Sequence, residues 1–205
     1  GRAEAILLKN DLLAMMASAK RLDRHFILHC GPTNSGKTYQ GLEALKKAKS
    51  GVYLGPLRLL ALEVFDSLNG AGVPCNLLTG EESEEVPFAN ITASTIEMLD
   101  DKETYDVAVI DEAQLIADRA RGGAWTKAIL SVKAKEVHIC FAPEAFSFIE
   151  SLIKDIGASY EVIKHERLTP LVYSGNIEEL GTVEPGDAFI TFSRKSVLQI
   201  AAILE

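Results

Sequence analysis

Cysteine is scarce in this sequence, which has three cysteines among its 205 residues. Cys30, Cys75 and Cys140 are odd in number and widely spaced, so they form neither a C-x-x-C pair nor a disulfide framework. This pattern argues against a disulfide-stabilised secreted domain and favours a reducing compartment. Cys30 and Cys140 lie in apolar runs, where cysteine commonly packs as a small buried side chain.

Long hydrophobic runs are also absent. No apolar stretch approaches the roughly 20 residues that a membrane-spanning helix needs, so we expect no membrane partner. The sequence begins Gly1-Arg2-Ala3-Glu4, with neither a Met nor a secretory signal, which predicts a processed or trimmed chain. From these features we expect a bacterial cytoplasmic location, with the mitochondrial matrix as the open alternative.

Basic residues are in the minority, because 21 Lys and Arg against 29 Asp and Glu give a net charge of −8. This balance argues against a protein that holds nucleic acid through a uniformly basic surface. A local groove of basic side chains and backbone amides remains compatible with it. The densest acidic run, Glu81–Glu85, is predicted to be a solvated loop.

Apolar strands alternate with amphipathic helices through most of the sequence. Strands are predicted at 26–28, 51–55, 74–78, 90–94, 106–111 and 137–141, and helices from Lys37, at 58–68 and at 143–156. Such alternation predicts an α/β fold with a mainly parallel sheet that helices cover on both faces.

Three units are predicted along the chain. Residues 1–24 form an N-terminal helical segment, because apolar positions recur at helical spacing there. Residues 25–167 form the alternating α/β domain. Turn residues become frequent after Leu168, and the strand and helix predicted within 187–205 indicate the truncated start of a second domain, 168–205.

The stretch Gly31–Thr38 matches the phosphate-binding pattern G-x-x-x-x-G-K-[ST] between a predicted strand and a predicted helix. Glycines let the backbone turn so that successive N–H groups surround phosphate oxygens, and the helix N-terminus adds partial positive charge. Lys37 is expected to reach the terminal phosphates, and the Thr38 hydroxyl to bind Mg²⁺. The predicted nucleotide-binding residues are Gly31, Pro32, Thr33, Asn34, Ser35, Gly36, Lys37 and Thr38.

The strand at 106–111 supplies the second half of a nucleotide site, because it ends in Asp111 and Glu112. The carboxyl ends of parallel strands are where open α/β sheets place their ligands. Asp111 is predicted to hold Mg²⁺ with Thr38, and Glu112 to polarise the attacking water. Together with the phosphate loop, this pair predicts a P-loop nucleoside triphosphatase or kinase that uses ATP and Mg²⁺.

Motifs in order along the chain resemble those of the Suv3 family of DExH-type RNA helicases, within helicase superfamily 2. The matching stretches are Gly31–Tyr39, Val52–Glu63, Gly72–Cys75, Leu78–Glu82, Asp111–Gln114, Ala120–Thr126, Arg167–Pro170 and Phe192–Arg194. The resemblance runs from about His25 to the C-terminus. One departure is Ala142-Pro143-Glu144, where the family commonly has Gly-Glu-Pro.

The resemblance implies a RecA-like ATP-binding domain, the start of a second such domain, and ATP-driven unwinding of RNA-containing duplexes. Lys37, Asp111, Glu112 and Gln114 would be catalytic, with Gln114 linking the nucleotide site to the rest of the motor. Single-stranded RNA would follow a track that includes Pro56, Arg58, Thr79, Gly80, Thr92 and Thr95. A ribonuclease is a candidate partner. The rest of the second domain, which would supply an arginine finger, is expected to lie beyond Glu205, so this chain alone should hydrolyse ATP poorly.

Two other functions fit part of the sequence. Thymidine kinase-like nucleoside kinases also pair such a phosphate loop with Asp-Glu-Ala-Gln, but they usually carry a zinc site of cysteine pairs that this sequence lacks. A binding module that uses ATP only as a switch has less need of Glu112. Trp125 is expected to anchor the core rather than stack on a base, and His29 and His138 to be core or edge residues without metal-ligand spacing.

Overall fold

The computed structural model describes residues 23–33 and 35–167, together with the helical positions 9–11, 13, 14 and 17. Asn34, the remainder of the predicted N-terminal segment 1–24 and the predicted start of a second domain, 168–205, lie outside the described residues. Those predictions therefore stay predictions.

One sheet organises the described part of the chain. Its strands are β1 (His25–Cys30), β2 (Gly51–Gly55), β3 (Cys75–Leu78), β4 (Ser83–Glu84), β5 (Ile91–Thr95), β6 (Thr104–Ile110), β7 (Lys133–Phe141) and β8 (Ser159–Lys164). They lie in the order β4-β3-β5-β2-β6-β7-β1-β8. All neighbouring pairs are parallel except β3 and β4, which form an antiparallel hairpin.

Helices pack on both faces of this sheet, as predicted. The α-helices are α1 (Lys37–Lys47), α2 (Arg58–Gly70), α3 (Gly122–Ser131) and α4 (Phe146–Ile156), and short 3-10 helices cover Ile96–Met98, Ala113–Ala117 and Pro143–Ala145. Helices α1 and α2 bury Leu42, Leu45, Val64 and Leu68 against one face. Helices α3 and α4 bury Trp125, Ile129, Ile149 and Ile153 against the other.

The central strands are buried because both of their faces are covered. In β2, all five residues are buried, as are the last four of β6 and the last five of β7. Continuous apolar runs are typical of strands in this position. The strand β2 matches its predicted bounds, whereas β6 and β7 begin two and four residues earlier than predicted.

Two elements differ from the predictions. The acidic run predicted as a loop contains the short strand β4, although its residues are exposed as expected. The edge strand β8 was not predicted, because its residues are exposed or half-buried and its sequence includes the charged residues Glu161 and Lys164. It pairs with β1 and brings His165 beside the phosphate loop.

The three cysteines are free and buried, which agrees with the packing role predicted for Cys30 and Cys140. Within residues 23–33 and 35–167, no cluster of three or more His, Cys, Asp or Glu side chains forms a metal site. No helix in the described part of the chain is both long and apolar enough to cross a bilayer.

Candidate functional site

The phosphate loop connects β1 to α1 and is held at its start by the neighbouring strand. The Gly31 N–H donates to the Phe141 carbonyl over 3.2 Å. Gly36 precedes α1 with φ 79°, a left-handed conformation that glycine adopts without a steric cost. The G-x-x-x-x-G-K pattern therefore stands in the strand-loop-helix context that its chemistry requires.

Lys37 is the first residue of α1 and is buried despite its charge. Its Nζ donates to the Gly31 carbonyl over 2.7 Å and to the Pro32 carbonyl over 3.4 Å. The ammonium group therefore lies across the mouth of its own loop, where carbonyl oxygens satisfy it. An anionic phosphate in the loop would compete for the same ammonium group.

Ser35 carries an observation that fits a phosphate ligand. Its Oγ is buried, and among the described residues it has no hydrogen-bond partner. A Cβ atom at Gly31 would stand 2.6 Å from this oxygen, so only glycine leaves room there. A buried hydroxyl without a partner is costly in a folded protein, and a phosphate oxygen would satisfy it.

Asp111 lies one residue beyond the end of β6 and is 2% exposed. Its Oδ1 accepts from the Thr38 hydroxyl over 3.1 Å and from the Glu112 N–H over 2.9 Å. Its Oδ2 accepts from the Tyr53 hydroxyl over 2.7 Å. The structure thus brings the predicted pair Thr38 and Asp111 into direct contact.

This pair fits a Mg²⁺ ion by the chemistry of its donors. Mg²⁺ prefers oxygen ligands, and it is usually bound by one or two protein groups together with waters and substrate phosphates. A hydroxyl and a carboxylate beside the phosphate loop, with no larger ligand cluster in the described residues, match that expectation.

Burial raises the pKa of both carboxyl groups at the end of β6. For Asp111, desolvation is the largest influence, and the hydrogen bond from Tyr53 opposes it. For Glu112, desolvation and then the neighbouring Asp111 raise the pKa to about 7. A carboxyl group with a pKa near neutrality is suited to accept a proton from water.

Glu112 also has a strained backbone, with φ 52° in the left-handed region. A non-glycine residue rarely adopts this conformation, and such residues cluster at functional sites. The conformation ends β6 and begins the 3-10 helix Ala113–Ala117. The backbone position of Glu112 is therefore set by the strand that precedes it and the 3-10 helix that follows it.

Gln114 connects Glu112 to the next strand. Its Nε2 donates to the Glu112 carboxylate in a short hydrogen bond, and its Oε1 accepts from the Ala142 N–H over 3.3 Å. Ala142 begins the segment in which the chain departs from the Gly-Glu-Pro pattern. The departure leaves this link in place, because the amide that takes part belongs to the backbone.

Trp125 is a core residue, as predicted. Its side chain is fully buried, and its Nε1 donates to the Asp111 carbonyl over 3.0 Å. The indole therefore supports the backbone of the site and is inaccessible to a base.

Tyr53 and Arg121 were missed by sequence reasoning. Tyr53 is buried in the middle of β2, where a tyrosine must find a partner for its hydroxyl, and that partner is Asp111. Arg121 donates to the Pro56 carbonyl over 2.7 Å and also hydrogen-bonds Glu97. A buried polar position within an apolar strand was the available signal for Tyr53; no comparable signal marked Arg121.

The predicted RNA track lies at the carboxyl ends of β2, β3 and β5. A cavity of about 230 Å³ there is lined by four of the six predicted residues, Arg58, Thr79, Gly80 and Thr95. The Arg58 Nε donates to the Glu82 carboxylate over 2.5 Å and lies 4.0 Å from that of Glu81. The basic side chain of the predicted track is thus paired with the hairpin of β3 and β4, which we call the acidic hairpin because it carries Glu81, Glu82 and Glu84.

The other predicted track residues have different environments. The Thr79 hydroxyl, although close to the cavity, accepts N–H donors from Glu81 and Glu82 and stabilises the hairpin turn. Pro56 contributes its carbonyl to Arg121. Thr92 is the second residue of β5 and lines a separate cavity of about 380 Å³, so the structure does not bring it to this edge.

Comparisons with known proteins identify the family. A model of the DEXQ-box helicase domain of Suv3 matches residues 13–165. The chain is 45% identical over 98% of its length to the rice (Oryza sativa subsp. japonica) protein named ATP-dependent RNA helicase SUV3L, mitochondrial. It is 46% identical over 91% of its length to the zebrafish (Danio rerio) protein, and 44% over 91% to the human (Homo sapiens) protein, each named ATP-dependent RNA helicase SUPV3L1, mitochondrial.

The chain covers only part of these relatives, namely 28% of the rice protein, 25% of the zebrafish protein and 24% of the human protein. The predicted bacterial cytoplasmic location is wrong, because all three relatives are named as mitochondrial proteins. Composition could not reveal this, since both compartments accept a protein with free cysteines and a moderate net charge.

Solved structures agree on the fold. A DEAD box protein from the hyperthermophile Methanococcus jannaschii matches 73% of the chain and 48% of its own, with a TM-score of 0.54 and 19% identity. The Escherichia coli DExH-box NTPase HrpB matches 95% of the chain and 28% of its own, with a TM-score of 0.52 and 15% identity. Both support the RecA-like fold, and the comparisons favour the helicase over the kinase alternative. The chain therefore belongs to the Suv3 family of ATP-dependent RNA helicases and contains its DEXQ-box helicase domain.

Proposed function

We propose that the full-length protein uses this domain to bind and hydrolyse ATP with Mg²⁺, and so to move along RNA and unwind RNA-containing duplexes. The observation that carries the proposal is the convergence of Lys37, Thr38, Asp111 and Glu112 at one edge of the sheet. The unpartnered Ser35 hydroxyl in the same loop supports it.

Each residue has a role that follows from its contacts. Lys37 would exchange its loop carbonyls for the terminal phosphates, and Thr38 and Asp111 would hold Mg²⁺. Glu112 orients the attacking water and accepts its proton, for which its raised pKa is suited. Mg²⁺, when bound, neutralises charge on the phosphates.

Gln114 is proposed to report the state of the site to the rest of the motor. It touches the Glu112 carboxylate with one end and the Ala142 amide, just after β7, with the other. A change at Glu112 therefore has a direct path to the segment that follows β7, which in the family lies on the route between hydrolysis and strand separation.

RNA is proposed to bind at the carboxyl ends of β2, β3 and β5, where Arg58 faces the cavity that Thr95 and Gly80 also line. The contacts would be mainly to phosphates, because Arg58, once released from Glu82, offers a cation there and Thr95 offers a hydroxyl. Thr92 lines a separate cavity, so an RNA strand would reach it only by extending beyond this edge.

The remaining parts of the function concern the whole protein. We propose a second RecA-like domain in cis that closes over the nucleotide, and a mitochondrial location shared with the relatives. A ribonuclease partner is proposed from the family resemblance, and nothing in the described surface identifies where it would bind.

The test is ATP hydrolysis by the full-length protein with and without single-stranded RNA, with thymidine as an alternative phosphate acceptor. We expect RNA to stimulate hydrolysis and thymidine to remain unphosphorylated. Phosphate transfer to thymidine without stimulation by RNA would overturn the proposal, because it would assign the shared loop and carboxylates to a kinase.

A further inference from the structure

Three histidines that the proposed mechanism does not use form a continuous hydrogen-bonded series. His165 Nε2 lies 3.0 Å from His29 Nδ1, and His29 Nε2 lies 2.7 Å from His138 Nδ1. His138 Nε2 lies 2.6 Å from the Glu136 carboxylate. We call Glu136, His138, His29 and His165 the histidine chain. It starts on β7, passes through β1 and ends beyond β8.

The last member of the histidine chain lies against the phosphate loop. The backbone N–H of His165 donates to the Cys30 carbonyl over 2.8 Å, which extends the pairing of β8 with β1. A Cβ atom at Gly31 would stand 2.8 Å from the His165 Cβ. The same Cβ atom would stand 2.6 Å from the Ser35 Oγ, so His165 and Ser35 lie side by side, and the Ser35 backbone raises the pKa of His165 against a larger lowering by burial. The histidine chain therefore joins the partly exposed carboxylate of Glu136 to the candidate nucleotide site.

The direction of these hydrogen bonds determines what His165 can do. A backbone contact that favours the charged ring is one in which the ring N–H donates to a carbonyl. Because Nε2 of His165 faces His29, Nδ1 is the ring nitrogen that is left to donate to the Ser35 carbonyl. In a trans peptide the C=O and the following N–H point in opposite directions, so fixing the Ser35 carbonyl also fixes the Gly36 N–H. That N–H is one of the donors that the motif provides for phosphate.

The histidine chain has one N–H group fewer than it needs to form all of its hydrogen bonds. Three links are hydrogen bonds of the structure, from His165 to His29, to His138 and to Glu136, and donation from His165 Nδ1 to the Ser35 carbonyl would be a fourth. The two ends of the series, a carbonyl and an ionised carboxylate, only accept hydrogen bonds. Three neutral imidazoles supply three N–H groups, so all four links form only if the chain takes up one further proton.

The surroundings of the chain keep the three rings neutral near pH 7. Burial lowers the pKa of His29 to about 3 and lowers the pKa of His138 and His165. Glu136 and Glu161 favour a charged His138, whereas His25 disfavours it, and Lys37 disfavours a charged His165. With only three N–H groups for four links, the Glu136 carboxylate and the Ser35 carbonyl compete for a donor, because the rings can point their N–H groups toward one end of the histidine chain or the other.

We propose that His165 is a positioning residue for the phosphate loop, and that His29, His138 and Glu136 decide whether its Nδ1 holds the Ser35 carbonyl. The proposal rests on the proposed function, because it assumes that this loop binds the phosphates of ATP. It adds a residue outside the nucleotide motifs, and it makes the affinity for ATP depend on a carboxylate at the opposite end of the chain.

The decisive variant is Glu136→Gln, because the Gln amide donates where the carboxylate could only accept. It supplies the fourth hydrogen without an added proton, so all links form with neutral rings and His165 Nδ1 donates to Ser35 at any pH. Glu136 has a side chain that is 41% exposed, so the change leaves the core intact.

Two variants of His165 test whether its Nδ1 donor to Ser35 is needed. His165→Asn places an amide donor near the position of Nδ1 and keeps the contact with Ser35, whereas His165→Phe keeps a ring without any donor. The control is His25→Asn, on the same face of β1, where the ring contacts Ser159 instead of the chain.

The measurement is the Kd of Mg-ATP for the full-length protein and each variant between pH 5.5 and pH 8. We expect His165→Phe to weaken binding about fivefold at low pH, the worth of one hydrogen bond, and less at high pH. His165→Asn should stay within about twofold of the unmodified protein. Glu136→Gln should bind as tightly at pH 8 as at pH 5.5, and His25→Asn should follow the unmodified protein.

The result that overturns the proposal is a His165→Phe protein with an ATP affinity unchanged across this range, or a Glu136→Gln protein whose pH profile matches that of the unmodified protein. An unmodified protein that fails to bind ATP at all would instead refute the proposed function. The two failures are therefore distinguishable in the same titrations.

Discussion

The candidate nucleotide edge and the proposed RNA edge of this domain, called below the nucleotide edge and the RNA edge, lie along one border of one sheet, yet they are built differently. At the nucleotide edge, Lys37, Asp111 and Glu112 are buried and hydrogen-bonded to other protein groups. At the RNA edge, Arg58 is partly exposed and is paired with the acidic hairpin. The first edge is organised before its ligand arrives, whereas the second must give up ion pairs to receive one.

This difference has an energetic consequence. Buried charges that lose a partner are costly, so changes at the nucleotide edge should have large effects on both activity and stability. Exposed ion pairs contribute little, so changes at the RNA edge should have small effects that depend on salt. The predictions below test this contrast in order of expected size.

Glu112→Gln should have the largest effect. Because the amide cannot accept a proton from water, we expect ATP turnover to fall by about 10²- to 10⁴-fold while ATP binding is retained. Steady-state hydrolysis and a direct binding titration separate the two. A variant that hydrolyses ATP normally would show that the domain uses another base or serves only as a switch.

Lys37→Ala should lower kcat/KM for ATP by about 10²- to 10³-fold, since it removes the cation that stabilises charge on the phosphates. Lys46→Ala is the matched control, because Lys46 lies on the same helix α1 and forms an ion pair with Glu43. Equal kinetics for the two variants would contradict the assigned phosphate site.

The pH dependence of stability should report the raised pKa of Glu112. The folded protein keeps this proton up to about pH 7, whereas the unfolded chain releases it near 4.5. Stability is therefore lost as the pH rises through this window, and Glu112→Gln removes the loss. We expect the variant to be more stable than the parent by about 1–3 kcal/mol at pH 8 and by little at pH 4.

Urea unfolding followed by the fluorescence of Trp125, the only tryptophan in the sequence, measures this difference. The indole lies against the Asp111 carbonyl and is fully buried, so its emission reports the site as well as the core. A stability difference that is the same at both pH values would contradict the assigned pKa shift.

Arg58→Ala should weaken the binding of single-stranded RNA about threefold to tenfold and reduce the slope of log K against log salt by about 0.7. Lys154→Ala, in the last turn of α4, is a control with a comparable exposed ion pair. Fluorescence anisotropy at several salt concentrations gives both quantities. An unchanged slope would remove Arg58 from the proposed track.

Glu82→Gln should have the smallest effect and the opposite sign. It releases Arg58 from its closest ion pair, so RNA affinity should rise about twofold at low salt and the gain should vanish at high salt. Weaker binding by this variant would indicate that the hairpin pairing holds Arg58 in its productive position.

Much of the fold was predictable because it follows from local patterns. The buried strand β2 and the helix α2 were located closely, since a continuous apolar run and a helical repeat each have one simple interpretation. The strand β8 was missed because an edge strand is half-exposed and looks like a polar turn region. The location was predicted wrongly because composition does not distinguish the two reducing compartments.

The candidate site divides in the same way. From the residues alone, the phosphate loop and the acidic pair could be predicted, because their chemistry is tied to spacings within one strand-loop-helix or at one strand end. Three contacts join residues that are far apart in sequence. Tyr53 and Asp111 are 58 positions apart, and Arg121 and Pro56 are 65 positions apart. His165 lies behind the phosphate loop, 134 positions from Gly31. Only the order of strands in the sheet brings such residues together, because contacts across strands depend on pairing and register, which no local pattern specifies.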